Sequence, residues 1–364
     1  LRQKHNHYLA QVWRCPLAAP FISLDASRPW ILYWCLHSCD IIGKPPSSEE
    51  RLRMVEFLET CWSTFEVTNH PVSKEADPFY YSGGAPDRDE PLRAGGFGGG
   101  ASQLPHAATT YAAILSLGIL ATSGGKAEKA ARAFLRRMRI PLYRWMLHLL
   151  DFESGACRMH VDGEVDVRAT YTIICSASLI GIDTPVLRND KVVHFLSSCQ
   201  TFEGGIGGEP WSEAHGGYTY CAVAALCILG KLQVVDIEAL MGWLARRQMA
   251  YEGGFAGRCN KLVDGCYSFW QGAALAIMSD VGQTDRPNKG LLFDAAMLER
   301  YILLCAQDVR GGLRDKPSKS RDFYHSCYNL SGLSILRGSV ALEETHLCFN
   351  IRKDRVRRMQ LIQW

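Results

Sequence analysis

The sequence lacks any long hydrophobic run. None of its stretches approaches the roughly 18 to 20 consecutive apolar residues that a membrane span needs, although the chain has 364 residues. Leu1 to His7 are polar and basic, so no signal peptide is expected in this segment, with the reservation that the chain does not begin with Met. We therefore expect a protein without stable membrane insertion.

The sequence also lacks an excess of charge of one sign. Its formal net charge is +3, and the basic residues are scattered rather than clustered on one segment. A nucleic-acid-binding protein usually shows a concentrated basic patch, so we expect no nucleic-acid partner. Hydrophobic residues make up 47% and charged residues 21% of the chain, which is ordinary composition for a globular protein.

The fourteen cysteines do not resemble a disulfide framework. Several lie inside apolar stretches of a large chain, where cysteine is usually a buried thiol: Cys35, Cys39, Cys175, Cys221 and Cys227. Free thiols are typical of a reducing compartment. We therefore expect a cytoplasmic protein.

Strand-like alternation is scarce, and a helical repeat takes its place. Predicted helices end at Gly-rich turns that begin at Gly95, Glu203, Glu252 and Gly311, with a weaker copy at Ser154. The second helix of each copy carries an aromatic ring at a recurring position: Tyr111, Tyr171, Tyr218, Tyr267 and His325. Capping residues predict the start of the first helices, including a capping box at Ser47 to Glu50 and acids at Asp190, Asp236 and Asp294.

The repeat predicts an all-α fold. The pattern indicates about six helical hairpins, and the second helix of each hairpin is strongly apolar. These features favour a closed α/α toroid formed by residues 1–364 as a single domain. Residues 66–92 break the repeat, because they contain four prolines and many acids. We expect this segment to be an exposed insertion.

Two acids, an arginine and a histidine occur three residues before the aromatic position, when Trp30 is taken as the ring of an earlier copy. Residues three apart share a helix face, so these positions are expected to face the centre: Ser27, Ala108, Arg168, His215, Asp264 and Asp322. Asp264, Cys266 and His325 supply a carboxylate, a thiolate and an imidazole, which suit zinc with one position left open. From the spacing alone, a buried cysteine beside a capping aspartate explains Asp264 and Cys266 about equally well.

Basic and aromatic residues surround this candidate metal site. His215, Arg258, Lys261 and Tyr267 are suited to a diphosphate, although a solvated loop with ordinary surface charges is an alternative. The segment from Arg314 to Asp322 adds cations and two acids. Aromatic residues near the starts of the second helices belong either to the core or to the wall of a cavity for a long apolar chain.

Five segments of the sequence are similar to the β subunits of protein farnesyltransferases. The most specific are EGGFAGRCNKLVDGCYSFWQ from Glu252 and DKPSKSRDFYHSCYNLSGLS from Asp315. The others are LDASRPWILYW from Leu24, HVDGEVDVRATY from His160 and EAHGGYTYC from Glu213. In this family an α/α toroid is paired with an α subunit of helical hairpins, so the resemblance implies an obligate heterodimer.

The resemblance implies a role for each matching residue. It implies one zinc ion on Asp264, Cys266 and His325, a diphosphate on His215, Arg258, Lys261 and Tyr267, and Mg²⁺ linked to Asp315. It implies an isoprenoid cavity lined by Trp30, Arg168, Tyr171, Tyr218, Trp270 and Tyr328. It implies an acceptor-peptide site formed by Ser27, Trp30, Trp34, His106, Ala108 and Tyr324.

The implied reaction is farnesyl transfer. The donor is farnesyl diphosphate, and the acceptor is the cysteine of a protein that ends in Cys-aliphatic-aliphatic-X, such as a small GTPase. One alternative is the β subunit of geranylgeranyltransferase type I, against which bulky Trp30 and Tyr328 argue because they would block a fourth isoprene unit. The other is a helical-repeat scaffold without catalysis, which predicts that no zinc is bound.

Overall fold

The computed structural model describes residues 1–67, 71–73, 78–79, 92–281, 291–336, 338 and 340–364. Its backbone contacts divide the chain into two units. Unit 1 comprises Leu1–Leu17, Trp34–Pro46 and Leu196–Asp354, and unit 2 comprises Ala18–Tyr33, Ser47–Phe195 and Arg355–Trp364. Most of the predicted insertion at 66–92 lies outside the described residues, so its exposure stays a prediction, as does the single-domain boundary at 1–364.

The described residues form thirteen α-helices. In chain order they are α1 (Arg2–Arg14), α2 (Arg28–Ile41), α3 (Ser48–Thr60), α4 (Ala107–Leu120), α5 (Gly125–Leu149), α6 (Val167–Leu179), α7 (Asp190–Ser198), α8 (Gly216–Leu229), α9 (Ile237–Ala245), α10 (Tyr267–Val281), α11 (Ala295–Tyr301), α12 (Phe323–Ile335) and α13 (Lys353–Gln360). Short 3₁₀ segments lie at Ala19–Ser27 and Leu232–Val234, and a π-helical turn at Ile302–Ala306 extends α11. No helix in this part of the chain is long and apolar enough to cross a bilayer.

One antiparallel β-ribbon interrupts the helices. Strand β1 (Trp62–Val67) pairs with strand β2 (Leu92–Phe97), with Trp62 opposite Phe97 and Val67 opposite Leu92. The prediction of a Gly-rich turn at Gly95 was therefore wrong. Gly95 is needed for a different reason, since a Cβ there would lie 2.6 Å from the ring of Trp62.

The predicted helix starts are confirmed. The hydroxyl of Ser47 accepts the Glu50 N–H at 3.2 Å, and the Glu50 carboxylate accepts the Ser47 N–H at 2.7 Å, which completes the capping box of α3. Asp236 caps α9 and Asp294 caps α11, each through its side-chain oxygen.

Glycines allow the turns at Gly204 and Gly253 to pack closely against the first turns of α9 and α11. Gly204 has a φ of 99° and Gly253 a φ of 79°, in the left-handed region that other residues avoid. A Cβ on Gly204 would lie 2.2 Å from the Ala239 carbonyl oxygen of α9, and one on Gly253 would lie 2.7 Å from the Met297 carbonyl oxygen of α11. The same residue type thus meets two constraints in each copy.

A buried hydroxyl defines the register of the repeat. In four copies a Thr or Ser side chain accepts a backbone N–H from the residue thirteen positions earlier: Thr110 from Phe97, Thr170 from Cys157, Thr219 from Ile206 and Ser326 from Leu313. Tyr218 and His325 precede this hydroxyl by one residue, whereas Tyr111 and Tyr171 follow it by one. The predicted equivalence of those rings was therefore wrong by two residues.

The corrected register changes the set of equivalent residues. Ala108 and Arg168 are not equivalent to His215. The residues that are equivalent to His215 lie just before α4, α6, α8, α10 and α12, which are the inner helices of the repeat. Each of these residues accepts a backbone N–H through its side chain: His106, Asp166, His215, Asp264 and Asp322. A histidine or an aspartate therefore lies just before each of the helices α4, α6, α8, α10 and α12.

The cysteines are thiols, as predicted. None of the fourteen, all of which lie in the described part of the chain, forms a disulfide, and ten are buried. Of the five singled out from the sequence, four are buried and Cys227 is half-buried.

Candidate functional site

The structure brings Asp264, Cys266 and His325 together in unit 1. Asp264 and Cys266 immediately precede α10, and His325 lies in the first turn of α12, which packs against α10. One potential ligand atom from each residue lies within 4.8 Å of the others. The predicted juxtaposition is therefore confirmed, and Cys266 is the buried member of the three.

Backbone and carboxylate contacts orient these side chains. Asp264 accepts the Cys266 N–H at 2.8 Å. His325 directs Nδ1 to the Asp322 carboxylate at 2.6 Å, which leaves Nε2 facing Asp264 at 3.2 Å. The sequence placed Asp322 among the residues expected to face the centre but did not predict its contact with His325, although their spacing of three residues on one helix was the available signal. Carboxylates in this position commonly orient histidines that ligate metals.

The electrostatics of this cluster favour a cation. Burial lowers the pKa of His325, but hydrogen bonds and charges from Asp264 and Asp322 outweigh it and raise the pKa to about 9. Burial and the Asp264 charge raise the pKa of the Cys266 thiol well above its usual range. Both groups thus keep protons that a divalent cation would replace, and the carboxylate, thiolate and imidazole suit zinc.

A cleft of about 380 Å³ adjoins the metal cluster. All four residues predicted to bind diphosphate line it: His215, Arg258, Lys261 and Tyr267. Asp264 and Lys316 complete the charged part of its wall. The cleft therefore joins the predicted anion site to one of the predicted metal ligands.

Tyr267 is oriented as a hydrogen-bond donor in this cleft. Nδ1 of His215 accepts the Gly217 N–H at 3.1 Å, so the proton of the neutral imidazole lies on Nε2. That nitrogen lies 2.9 Å from the Tyr267 hydroxyl oxygen and donates to it, which leaves the phenol proton for another acceptor. Burial, assisted by the charge of Asp264, raises the pKa of Tyr267, so the phenol keeps its proton at neutral pH.

Carboxylates hold two of the cations in the cleft. Arg258 donates from Nη1 to Glu213 at 2.5 Å, and Lys316 pairs with the neighbouring Asp315 carboxylate. The other Asp315 oxygen, Oδ1, is buried and has no hydrogen-bond partner within the described residues. The backbone carbonyl oxygen of Asp315 accepts hydrogen bonds from the Gly265 N–H and the Tyr301 hydroxyl, each at 2.8 Å.

An aromatic cluster in unit 1 contains several predicted substrate-site residues. The ring centroid of Trp270 lies 4.2 Å from that of Tyr328, and the Trp270 indole N–H donates to the Tyr324 hydroxyl at 3.1 Å. Trp34 packs edge-on against Tyr324 at 5.5 Å. Tyr218 lies apart from this cluster, against the ring of His215 at 5.5 Å.

The remaining predicted substrate residues lie in unit 2. The ring of Trp30 lies 5.6 Å from that of Tyr111, whose hydroxyl lies 3.0 Å from the Tyr171 hydroxyl. Arg168 is exposed and paired through Nε and Nη2 with Asp166, at 3.0 and 2.6 Å. Ser27 ends the 3₁₀ segment before α2, and His106 caps α4 by accepting the Ala108 N–H at 3.1 Å. That these residues line one isoprenoid cavity stays a prediction.

Comparisons with known proteins agree with this fold. The family model of the prenyltransferase alpha-alpha toroid domain matches residues 1–351. The chain is 37% identical to protein farnesyltransferase subunit beta of Arabidopsis thaliana, across 92% of this chain and 72% of the relative. It is 29% identical to the geranylgeranyl transferase type-1 subunit beta of that organism, across 66% of this chain and 65% of the relative.

A solved structure shares the fold. It is Candida albicans protein geranylgeranyltransferase-I complexed with GGPP, with a TM-score of 0.75 and 20% identity, and the match covers 100% of this chain and 99% of that one. The fold is therefore the α/α toroid of the prenyltransferases, as predicted. Within that class, the chain belongs to the family of protein farnesyltransferase β subunits.

Proposed function

We propose that this chain, paired with an α subunit, transfers a farnesyl group from farnesyl diphosphate to the cysteine of a protein ending in Cys-aliphatic-aliphatic-X. The observation that carries the proposal is the position of the cleft lined by His215 and Arg258 beside Asp264, Cys266 and His325. A leaving diphosphate and an acceptor thiol both need cationic partners, and these two neighbouring sites supply them.

The metal cluster fits zinc and an acceptor thiol. Asp264, Cys266 and His325 would hold one zinc ion, with Asp322 orienting the imidazole through Nδ1. When bound, zinc supplies a positive charge that lowers the pKa of a coordinated thiol toward neutrality. No general base from this chain is then needed.

The cleft residues act on the leaving group. As the new C–S bond forms at C1 of the farnesyl chain, the C–O bond breaks and its electron pair stays on the diphosphate. Arg258 and Lys261 stabilise this charge, and the Tyr267 hydroxyl donates a hydrogen bond that His215 has oriented. Such contacts accelerate the reaction because they strengthen as the charge on the diphosphate grows.

Asp315 is suited to a magnesium ion that accompanies the diphosphate. Its Oδ1 is buried and lacks a partner in the described part of the chain, whereas Oδ2 pairs with Lys316. Mg²⁺ prefers one or two carboxylate oxygens together with phosphate oxygens. We propose that Lys316 releases Asp315 when the diphosphate binds.

Exposed aromatic rings support an obligate partner. In unit 1, Phe202 is 99% exposed, Trp211 101% and Tyr251 93%. Phe202 and Tyr251 directly precede the Gly-rich turns of successive copies of the repeat, and both rings are exposed to solvent in this chain. Large exposed aromatic residues are typical of protein interfaces, and we propose that an α subunit covers these rings.

A transfer assay tests the proposed function. The chain and a farnesyltransferase α subunit are purified separately and together, and each preparation is mixed with farnesyl diphosphate and a peptide ending in Cys-aliphatic-aliphatic-X. Mass spectrometry is expected to detect the farnesyl thioether only with the pair. Absence of the thioether with a zinc-loaded pair would contradict the proposal.

A further inference from the structure

A second cationic cleft lies in unit 1, on the segment between Asp308 and Arg321. It has a volume of about 380 Å³, and its wall is formed by Asp308, Arg310, Arg314, Ser318, Lys319, Ser320 and Arg321. It shares no described residue with the cleft that contains His215 and Arg258. The proposed farnesyl transfer therefore assigns no role to it.

Cationic side chains dominate this wall, since it contains four of them and one carboxylate. Asp308 is already committed to Arg310, accepting its backbone N–H at 2.8 Å and its side-chain Nε–H at 3.2 Å. These hydrogen bonds lower the pKa of Asp308 to about 2, so the acid stays ionised and holds Arg310 in place at neutral pH. A bound anion would meet the remaining donors of Arg310 and the other three cations.

Protein contacts hold the other two arginines while leaving donors unused. Arg314 donates from Nη2 to the Gln307 carbonyl at 3.1 Å, but its buried Nε–H has no acceptor among the described residues. Arg321 donates from Nη1 to the Gly311 carbonyl at 2.5 Å, and its guanidinium lies 4.3 Å from the centroid of the Tyr8 ring. A buried donor without a partner is costly, so a ligand that accepts from Arg314 would be stabilising.

The remaining lining residues suit an anion with several acceptor oxygens. Lys319 forms no ion pair in the described part of the chain, and its ammonium is exposed. Ser318 and Ser320 add hydroxyl donors. A carboxylate is satisfied by one arginine fork, whereas a phosphate dianion accepts from several such groups at once.

We propose that this second cleft binds a phosphate group, delivered either as free inorganic phosphate or as a phosphorylated serine of another protein. Both sources present the same dianion with three or more acceptor oxygens. The cleft also lies on the segment that carries Asp315 and Asp322, so a phosphate bound there would restrict the residues that adjoin the diphosphate and orient His325.

Binding is measured with the full chain in complex with its α subunit. A His215→Ala/Lys261→Ala background weakens the first cleft, so that added phosphate reports on the second. Inorganic phosphate and a phosphoserine peptide are titrated in separate calorimetric experiments. Tighter binding of the peptide would assign the phosphate to a protein, and equal binding would assign it to the free anion.

Arg310→Ala/Lys319→Ala is the test variant, because both side chains are exposed and their removal spares the core. It is expected to weaken phosphate binding at least about tenfold. Arg53→Ala/Lys44→Ala removes two exposed cations elsewhere and is expected to leave binding unchanged.

Absence of saturable phosphate binding in the His215→Ala/Lys261→Ala parent would overturn the proposal. Equal binding in the parent and the Arg310→Ala/Lys319→Ala variant would also overturn it. Since neither measurement involves farnesyl transfer, failure here leaves the proposed reaction intact, and failure of the reaction leaves this inference intact.

Discussion

Cys266 is the residue on which the zinc proposal depends most. It is buried beside Asp264 and His325, and the pKa of its thiol is raised by burial and by the Asp264 charge. A neutral thiol in that position contributes little, whereas a thiolate is a strong zinc ligand. The chemistry of the site therefore changes with the presence of the metal.

Cys266→Ala is expected to remove zinc from the purified heterodimer. The wild-type heterodimer should contain about one zinc ion, and the variant less than about a tenth of that, because two remaining ligands seldom retain the metal. Cys259→Ala is the control, since Cys259 lies seven positions earlier and contacts Glu203 instead. Atomic absorption measures the metal content, and equal zinc in the two variants would contradict the assignment.

Tyr267→Phe tests the leaving-group role independently of the metal. Loss of the phenol donor is expected to slow transfer by about 10- to 100-fold, which corresponds to about 1–3 kcal/mol of transition-state stabilisation. Zinc content should stay unchanged. Tyr143→Phe is the control, because its hydroxyl lies 3.1 Å from the Thr184 hydroxyl and does not line the cleft, and it should leave the single-turnover rate unchanged. A normal rate in Tyr267→Phe would exclude the proposed hydrogen bond.

At the scale of single elements, the buried hydroxyls connect each turn to its inner helix. Thr219 is fully buried; it accepts the Ile206 N–H at 3.0 Å and donates to the Ile206 carbonyl at 3.2 Å. The Ile206 N–H in the turn before α8 thus depends on this side chain, whereas the Ile206 carbonyl also accepts the His215 N–H.

Thr219→Val is expected to lower the free energy of unfolding by about 1–3 kcal/mol, because it leaves a buried N–H without a partner. The urea midpoint measures the change. Thr172→Val serves as the matched control: its buried hydroxyl donates only to the Ala169 carbonyl three residues earlier in α6, so a smaller loss is expected. A loss in Thr219→Val no larger than in the control would refute this role.

The sequence predicted helix starts better than it predicted the register between copies. The helix caps at Asp236 and Asp294 can be predicted from the local sequence, since an acid before an apolar run is sufficient to indicate a cap. The register of Tyr111 against Tyr218 is not local, because it depends on which residue reaches back thirteen positions to the preceding turn. Gly95 was misassigned for a related reason: a glycine required by a neighbouring tryptophan looks the same in the sequence as one required by a turn.

The proximity of the candidate metal ligands was predicted, whereas the contacts that surround them were not. The proximity of Asp264, Cys266 and His325 was predicted from the repeat and from the family resemblance, because their residue types and spacing alone fitted a buried cysteine beside a capping aspartate about equally well. Asp322 and Lys316 have common residue types, and their roles emerge only from contacts with His325 and with the cleft.

At the scale of the whole molecule, His37 connects α2 to distant parts of unit 1. Its Nε2 lies 3.3 Å from the Asn350 side-chain oxygen and 3.2 Å from the Ser331 hydroxyl. Burial lowers the pKa of His37 to about 4, although Asp40 and Asn350 partly oppose this shift. The folded state therefore holds the imidazole neutral where an unfolded chain would protonate it.

The pKa of His37 predicts loss of stability in acid. Since the folded pKa lies below the unfolded value, the contribution is complete above about pH 6.5 and declines as the pH falls toward 4. Between about pH 7.5 and pH 5 the loss should be about 2 kcal/mol. The pH dependence of thermal unfolding in the wild type should therefore be steeper than in His37→Gln, and identical dependence would contradict the assignment.

The choice between donor diphosphates tests the central claim most directly. The heterodimer is given equal concentrations of farnesyl and geranylgeranyl diphosphate with one Cys-terminated peptide, and mass spectrometry compares the two thioethers. The farnesyl product is expected to predominate by at least about tenfold, and Trp30→Thr is expected to shift the ratio toward geranylgeranyl. A predominant geranylgeranyl product from the wild type, or no product from a zinc-loaded heterodimer, would contradict the account.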